Sequence, residues 1–327
     1  MKPTLLAVGA VCAATMAGAD TPVLNVYTYD SFISEWGPGP AIEAGFEAIC
    51  ACDVQFQSAG DGAALLARLQ LEGASTPADV VVGLDTNLAE AARKTGLFAP
   101  AVPAQTTLPV DFSDANFIPF DWGWFGFVYD KTKLATPPSS MMELAASDLK
   151  IIIQDPRSST PGLGLVMWVA AAYGDKAGAV WAQLADNIIT VTPGWSEAYN
   201  MFLAGEADMV LSYTTSPAYH LIAESDDSKA AALFSEGHYL QVELAGKLAG
   251  SDQPDLADRF LAYLLEDAAQ SALITTNWMY PANLPEAGLP AGFETLINPE
   301  KTLLFSSQEA EAKRQEVIAQ WQNALSQ

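Results

Sequence analysis

The stretch GWSEAYNMFLAGEADMVLSYTTSPAY, residues 194–219, predicts a helix, a strand and the start of a second helix. Ser196 is a candidate N-cap for the first helix, and Gly205 suits its end. Between them, apolar residues recur at near-helical spacing, at Tyr199, Phe202 and Leu203. The short apolar run Met209–Leu211 is typical of a buried parallel strand. This stretch therefore predicts one unit of an α/β fold.

Aromatic residues flank this predicted unit. Trp195 precedes the first helix, Tyr213 follows the strand, and Tyr219 lies in the second helix. In open α/β sheets, ligands bind beyond the carboxyl ends of the strands, so we expect these rings to converge on one cleft. The alternative is that each ring fills the core. Repetition of the pattern at other strand ends favours the cleft.

The chain before this stretch alternates between strands and helices. Strands are predicted at residues 23–28, 54–57, 79–85 and 151–153. Helices are predicted after Pro40, with Ile42, Phe46 and Ile49 on one apolar face, after Gly62, up to Lys94 and from Pro161. Such alternation is the signature of a parallel α/β sheet.

Two longer extended segments interrupt this rhythm. They are FIPFDWGWFGFVY, residues 117–129, and residues 238–244. We interpret them as two crossings between two lobes, which predicts an α/β fold with a ligand cleft between hinged lobes. The expected bounds are 20–121 plus 237–285 for lobe 1 and 122–236 plus 286–327 for lobe 2.

The N-terminus has the features of a secretory signal peptide at residues 1–19. Lys2 precedes an apolar run from Leu5 to about Met16, and Ala17-Gly18-Ala19 fits an A-x-A cleavage site. Val11 before Cys12 does not suit a lipoprotein site, so no lipid anchor is expected. The sequence predicts export to the periplasm with cleavage after Ala19.

The charge of the chain is strongly negative. Its 39 acidic and 15 basic residues give a formal net charge of −24. This charge argues against nucleic acid and anionic membrane surfaces as partners and is compatible with a cationic ligand. We expect a monomer.

Cleavage would leave two cysteines, Cys50 and Cys52. In an oxidising compartment an even number of cysteines favours a disulfide. A Cys-x-Cys bridge requires a tight turn at Ala51 that brings the two Cα atoms within range. Metal binding is the alternative, but the chain has only His220 and His238 as further soft ligands.

Polar residues at other strand ends are candidates for ligand contact. Asp61 is either a helix N-cap or a carboxylate for a ligand amine. Ser159 and Thr160 precede Pro161 at a helix start, where they suit either an anion or an ordinary cap. Tyr29, Trp36 and Trp278 add further aromatic faces, which attract organic cations.

An enzyme is the competing class of function. The sequence has no G-x-S-x-G elbow, no H-E-x-x-H and no nucleotide-binding glycine motif. A hydrolase with a glycosidase-like pair of carboxylates remains an alternative, because acidic residues are abundant. We expect a binding protein without a catalytic site.

The chain resembles the periplasmic thiamine-binding proteins of ABC importers over nearly its whole predicted mature length. The resemblance is carried by VYTYDSF, WGPGP, DVVVGLD, KTGLF, QDPRSSTPGLG, GWSEAY, LSYTTSPAYH, FSEGHYLQVE and NWMYP. It implies a type II periplasmic-binding-protein fold that captures thiamine, thiamine monophosphate or thiamine diphosphate. It also implies delivery of this cargo to a permease in the inner membrane, and no cofactor.

The resemblance also implies a set of ligand-binding residues and the Cys50–Cys52 pair. The ligand-binding residues are Tyr29, Trp36, Asp61, Gly62, Ser159, Thr160, Trp195, Tyr213, Thr214, Thr215, Ser216, Tyr219 and Trp278. Trp122 and Trp124 depart from the family pattern, which has tyrosines there, and this departure is expected to alter the depth of the cleft. The alternative ligand is a polyamine or another quaternary amine, but the excess of aromatic residues favours thiamine.

Overall fold

A computed structural model describes residues 21–326 of the chain. The predicted signal peptide, with its cleavage site and Cys12, lies outside these residues. Within them, no helix is both long and apolar enough to cross a membrane.

The strands form one continuous mixed sheet in the order β2-β1-β3-β9-β4-β7-β5-β6. Strands β8 and β10 pair with β4, and β11 pairs with β9. The strands are β1 (Val23–Thr28), β2 (Asp53–Ser58), β3 (Val80–Asp85), β4 (Ile118–Asp130), β5 (Ile151–Gln154), β6 (Ile188–Thr192), β7 (Met209–Tyr213), β8 (Lys229–Ala231), β9 (His238–Lys247), β10 (Tyr280–Pro281) and β11 (Thr302–Leu303).

Helices cover the sheet and connect the parallel strands. They are α1 (Asp30–Ile33), α2 (Gly39–Cys50), α3 (Gly62–Glu72), α4 (Ala89–Lys94), α5 (Met141–Ala145), α6 (Thr160–Tyr173), α7 (Ala177–Leu184), α8 (Trp195–Leu203), α9 (Pro217–Ala223), α10 (Pro254–Tyr263), α11 (Asp267–Thr276) and α12 (Ser307–Leu325). Helix α12 packs on α6 and α7, and α11 packs on α2.

Strands β4 and β9 are the two predicted crossings, and β4 belongs to both halves of the sheet. Its residues Ile118–Trp124 pair with β9, whereas Phe125–Tyr129 pair with β7. Strands β1, β2 and β3 lie on one side of this change of partner, and β5, β6 and β7 lie on the other. The chain therefore folds into two α/β lobes that share one strand, as the long extended segments predicted.

The core strands form where the sequence is apolar without interruption. Every residue of β3, with the sequence VVVGLD, and of β5, with the sequence IIIQ, is buried. Strands that carry helices on both faces have this continuous pattern, because neither face meets water. These two strands place Asp85 and Gln154, the first polar residues after each apolar run, at their carboxyl ends.

Three details of the predicted helices are wrong. Ser196 lies inside the first turn of α8, since Gly194 occupies the N-cap position. Leu203 and Ile49 were expected on buried faces, but their exposed fractions are 45% and 57%. Leu203 instead lies at the edge of the cleft described below, and Ile49 lies one residue before the end of α2.

The structure joins Cys50 and Cys52 by a disulfide. Ala51 between them has φ 54 and ψ 43, in the left-handed region, and the two Cα atoms lie 5.2 Å apart. This is the tight turn that a bridge across one residue requires, and a separation of this size is normal for a disulfide.

Candidate functional site

A cavity of about 220 Å³ lies between the two lobes. Most of the predicted site residues line it: Tyr29, Trp36, Asp61, Thr160, Trp195, Tyr213, Ser216, Tyr219 and Trp278. They come from the end of β1, the loop between α1 and α2, the starts of α3, α6, α8 and α9, the end of β7, and the segment after α11. The carboxyl ends of strands from both lobes thus meet at this cavity.

The aromatic walls are held in fixed orientations. The Trp195 ring stacks on Tyr199, with centroids 5.0 Å apart and an angle of 22°, and its Nε1 donates to Ser212 Oγ at 2.7 Å. Trp36 approaches Trp195 from the opposite lobe, with centroids 6.2 Å apart. Trp36, Trp195 and Tyr199 all line the cavity, so a wall of flat rings is held in place by these contacts.

Trp278 on the same wall has an uncommon backbone conformation. Its φ is 55, which bulky residues rarely adopt. Its ring meets Tyr219 edge to face, with centroids 5.6 Å apart. Strained backbone of this kind persists only where the surrounding structure fixes it, and it concentrates at functional sites.

Asp61 joins the two lobes across the cavity. It occupies the N-cap position of α3, but its side chain makes no capping bond there. Instead, Asp61 Oδ2 accepts from Ser159 Oγ at 2.6 Å and from the Trp195 backbone N–H at 3.1 Å. Burial raises the pKa of this carboxyl to about 6, while the two hydrogen bonds act in the opposite direction.

Two further hydrogen bonds hold the lobes together beside Asp61. The Gly62 N–H donates to Thr160 Oγ1 at 3.2 Å, and the Ala64 N–H donates to the Ser158 carbonyl at 3.0 Å. Together with the bonds of Asp61, they keep the cleft closed at this end.

Four predicted residues do not line the cavity: Gly62, Ser159, Thr214 and Thr215. Ser159 is fully buried, and its hydroxyl is engaged by Asp61. Thr214 and Thr215 are also fully buried, and Thr215 Oγ1 approaches Met279 Sδ at 3.7 Å. These residues support the wall from behind. Their proposed contact with a ligand stays a prediction.

Several cavity residues escaped the sequence analysis: Ser31, Pro161, Ser196, Tyr199, Asn200, Leu203, Glu243, Thr276, Asn277 and Met279. Asn277 and Met279 flank Trp278 in NWMYP, so their position in that motif was an available signal. Glu243 had the same kind of signal, because it is the last residue of FSEGHYLQVE, although its place within strand β9 does not by itself indicate a ligand contact.

Trp122 and Trp124 lie outside the cavity wall. Trp122 stacks on Tyr280, with centroids 4.5 Å apart, and donates to the Pro281 carbonyl at 3.1 Å. Trp124 is 6% exposed, and its Nε1 donates to Thr302 Oγ1 at 3.0 Å. The expectation that these two rings alter the depth of the cleft is therefore wrong.

Two carboxyl groups lie at the bottom of the cavity: Glu243 lines it, and Asp121 is fully buried beside Glu243. The Tyr29 hydroxyl donates to Glu243 Oε2 at 2.9 Å, and Asn277 Nδ2 donates to Asp121 Oδ2 at 2.7 Å. Burial raises the pKa of Glu243 to about 7 and that of Asp121 well above its usual range. Among the described residues that line the cavity there is no Lys, Arg or His, so the ionisable charges available there are negative.

Gly83 sets the position of Tyr29. Its φ is 104, and a Cβ added to it would overlap the Tyr29 ring. We expect Gly83→Ala to lower the free energy of unfolding by about 1 to 2 kcal/mol more than Gly96→Ala. Gly96 also has positive φ, at 70, but open space around it, so it controls for backbone strain. Urea denaturation of both variants measures the difference, and equal losses would contradict the steric role of Gly83.

The comparisons with known proteins agree with this architecture. The family model described as bacterial extracellular solute-binding protein matches residues 36–271. The chain is 54% identical to a thiamine-binding periplasmic protein of Salmonella typhimurium over 93% of this chain and 94% of that protein. It is 53% identical to a protein of the same name from Escherichia coli, with the same coverage.

A solved structure has the same fold. The structure titled periplasmic thiamin binding protein superposes with a TM-score of 0.91 at 52% identity, over 94% of this chain and 97% of that one. The predicted two-lobe fold of a periplasmic binding protein is confirmed. The chain belongs to the bacterial extracellular solute-binding protein family, in one group with the periplasmic proteins named as thiamine-binding.

Proposed function

We propose that this protein captures thiamine in the periplasm and delivers it to an ABC permease in the inner membrane. The observation that carries the proposal is the composition of the cleft. Its walls are aromatic, and the acids that line it are Asp61 and Glu243. Thiamine is a flat organic cation, and relatives that share about half of the sequence are named for binding it.

The chemistry of thiamine matches these walls in two ways. The thiazolium is permanently charged, and the faces of Trp and Tyr attract cations by about 0.5 to 2 kcal/mol each. The aminopyrimidine offers an amino group to a carboxylate acceptor. A polyamine, in contrast, presents no flat face for Trp195 and Tyr213, which is why thiamine is preferred here over the polyamine alternative.

The phosphate esters of thiamine are included in the proposal. Thr160 begins α6, and Ser196 lies in the first turn of α8, and both residues line the cavity. The first turn of a helix favours anions through its free N–H groups and its dipole. Ser159 contributes to phosphate binding less directly than Thr160, because the Ser159 hydroxyl already donates to Asp61.

The remaining parts of the proposal concern the state of the protein. It acts as a monomer without a cofactor, and it releases its cargo unchanged. It is exported, and its signal peptide is cleaved after Ala19. Residues 20–121 with 237–285 form one lobe, and residues 122–236 with 286–327 form the other. Packing of α11 on α2 and of α12 on α6 and α7 supports this division.

Calorimetric titration of the purified mature protein tests the proposal. We expect saturable 1:1 binding of thiamine and of thiamine monophosphate, with both tighter than spermidine or choline. After long incubation, mass spectrometry should recover the ligand intact. Tighter binding of spermidine or choline than of thiamine would reject the proposed cargo, and conversion of excess ligand would reject a pure binding role.

A further inference from the structure

Three carboxyl groups lie side by side across three neighbouring strands. In the register of the sheet, Glu243 on β9 lies opposite Asp85 on β3 and opposite Asp121 on β4. Asp85 and Asp121 are fully buried, and Glu243 is 6% exposed, at the floor of the cavity. Because cross-strand partners project from the same face of a sheet, the three acids form one row beneath the cleft.

This row lacks a basic partner within hydrogen-bonding distance in the part of the chain that the structure describes. The donors to it are Asn87 Nδ2 and the Leu88 N–H for Asp85, the Tyr29 hydroxyl and Gln241 Nε2 for Glu243, and Asn277 Nδ2 for Asp121. Three unpaired charges at such short range are prohibitively unfavourable when buried, so the row must keep part of its protons.

Between Glu243 and Asp121, the hydrogen bonds decide which acid is ionised. Glu243 accepts from Tyr29 at 2.9 Å through Oε2 and from Gln241 at 3.0 Å through Oε1. Asp121 accepts at Oδ2 only, and its buried Oδ1 has no partner in the described residues. A proton on Asp121 Oδ1, donated to the opposite Glu243, satisfies that atom and gives the Glu243 carboxylate a third donor.

We propose that Glu243 is the residue that selects a positively charged ligand in this cleft, and that Asp121 is a protonated positioning residue that donates a hydrogen bond to it. This inference rests on the proposed capture of thiamine, and it concerns how the site distinguishes a cation from a neutral molecule of the same shape. Asp61, at the lobe contact, is engaged by Ser159 and Trp195, which leaves Glu243 as the anion of the cavity floor.

The proposal has a consequence for the pH dependence of binding. Burial raises the pKa of Glu243 to about 7, and a bound cation favours the ionised form and lowers it. Binding then releases a proton below neutral pH, so affinity rises as the pH rises. The groups that face Glu243 are Asp85 from β3, Asp121 from β4 and the Tyr29 and Tyr213 hydroxyls. None of these groups is a base, so the loss of a proton from any of them as the pH rises also makes the site more negative and does not oppose the rise in affinity.

Isosteric substitutions test the assignment. At about pH 8, we expect Glu243→Gln to weaken thiamine about tenfold. It should change by less than about twofold the binding of a neutral analogue in which a thiophene replaces the thiazolium. Asp121→Asn keeps a neutral donor and should weaken thiamine far less than Asp121→Ala does. Asp258→Asn removes one negative charge near the far end of β9, where Asp258 pairs with Lys247, and is the charge-matched control.

The pH profile is the second measurement. Between about pH 6 and about pH 8, a Glu243 pKa near 7 makes wild-type affinity rise by up to about tenfold, and Glu243→Gln should lose that part of the rise. Asp61 titrates in the same cleft, so the difference between the two proteins is the quantity to compare.

The outcomes separate this inference from the proposed function. Failure of the wild type to bind thiamine would reject the function itself. Normal binding by the wild type with equal losses of cation and neutral analogue in Glu243→Gln would overturn only the charge assignment. A greater loss in Asp121→Asn than in Glu243→Gln would also overturn it, because Asp121 would then carry the charge.

Discussion

Asp61→Ala is expected to weaken thiamine binding on the order of 100-fold. The substitution removes the acceptor of Ser159 Oγ and of the Trp195 N–H, the two charged hydrogen bonds that join the lobes at the cavity. Hydrogen bonds to charged groups contribute about 1.5 to 3 kcal/mol each. In the open form, water replaces these donors, so only part of that energy favours the closed form. A net loss of about 2 to 4 kcal/mol in the closed, liganded form remains.

Calorimetry gives the affinity, and small-angle scattering reports whether the liganded variant stays more open than the wild type. Asp208→Ala is a suitable control, because Asp208 Oδ2 accepts from the Lys150 N–H at 2.8 Å away from the cavity. It removes a similar bond without touching the lobe contact and should bind normally. Wild-type affinity in a folded Asp61→Ala protein would show that Asp61 neither closes the cleft nor contacts the ligand.

Trp195→Ala is expected to lower thiamine affinity by about 2 to 3 kcal/mol, the range of an aromatic hot spot. The loss has two sources. One is the ring face directed at the cavity, and the other is the orientation that stacking on Tyr199 and the bond to Ser212 Oγ give to it. Trp195→Phe keeps a flat ring but not the Nε1 donor, so it should recover part of the loss.

Equilibrium titration by calorimetry avoids reliance on Trp fluorescence, which the substitution itself changes. Trp321→Ala is the control: Trp321 is 4% exposed in α12 and is not among the residues that line the cavity. It should lower the free energy of unfolding while leaving affinity unchanged. If Trp195→Ala binds as tightly as the wild type, the ring is only a packing element of α8.

The sequence was most informative where a pattern is local. Uninterrupted apolar runs predicted β3, β5 and β7, and long extended segments predicted β4 and β9. Both patterns can be recognised from consecutive residues, without knowledge of which strands pair. Aromatic and hydroxyl residues at strand ends, together with Asp61, likewise identified nine of the nineteen residues that line the cavity.

The rest depends on contacts between distant parts of the chain. The residues around Asp61 predict a helix N-cap, yet its hydrogen-bond partners are Ser159 and Trp195, which lie 98 and 134 residues further along the chain. Glu243 ends the motif FSEGHYLQVE, but only the register of β9 with β3 and β4 shows that it belongs to a row of acids. Ser196 failed as a cap because Gly194 begins the helix earlier.

Strand β4 changes partner between Trp124 and Phe125 without a break in its backbone. A twist at that point can rotate one lobe against the other while the ladders within each half of the sheet stay intact. Strand β4 then acts as a hinge between the two lobes, and Trp36 and Trp195 lie on opposite sides of the cleft that it spans. A rotation of a few degrees in the middle of the sheet becomes a larger displacement at the rim of the cleft.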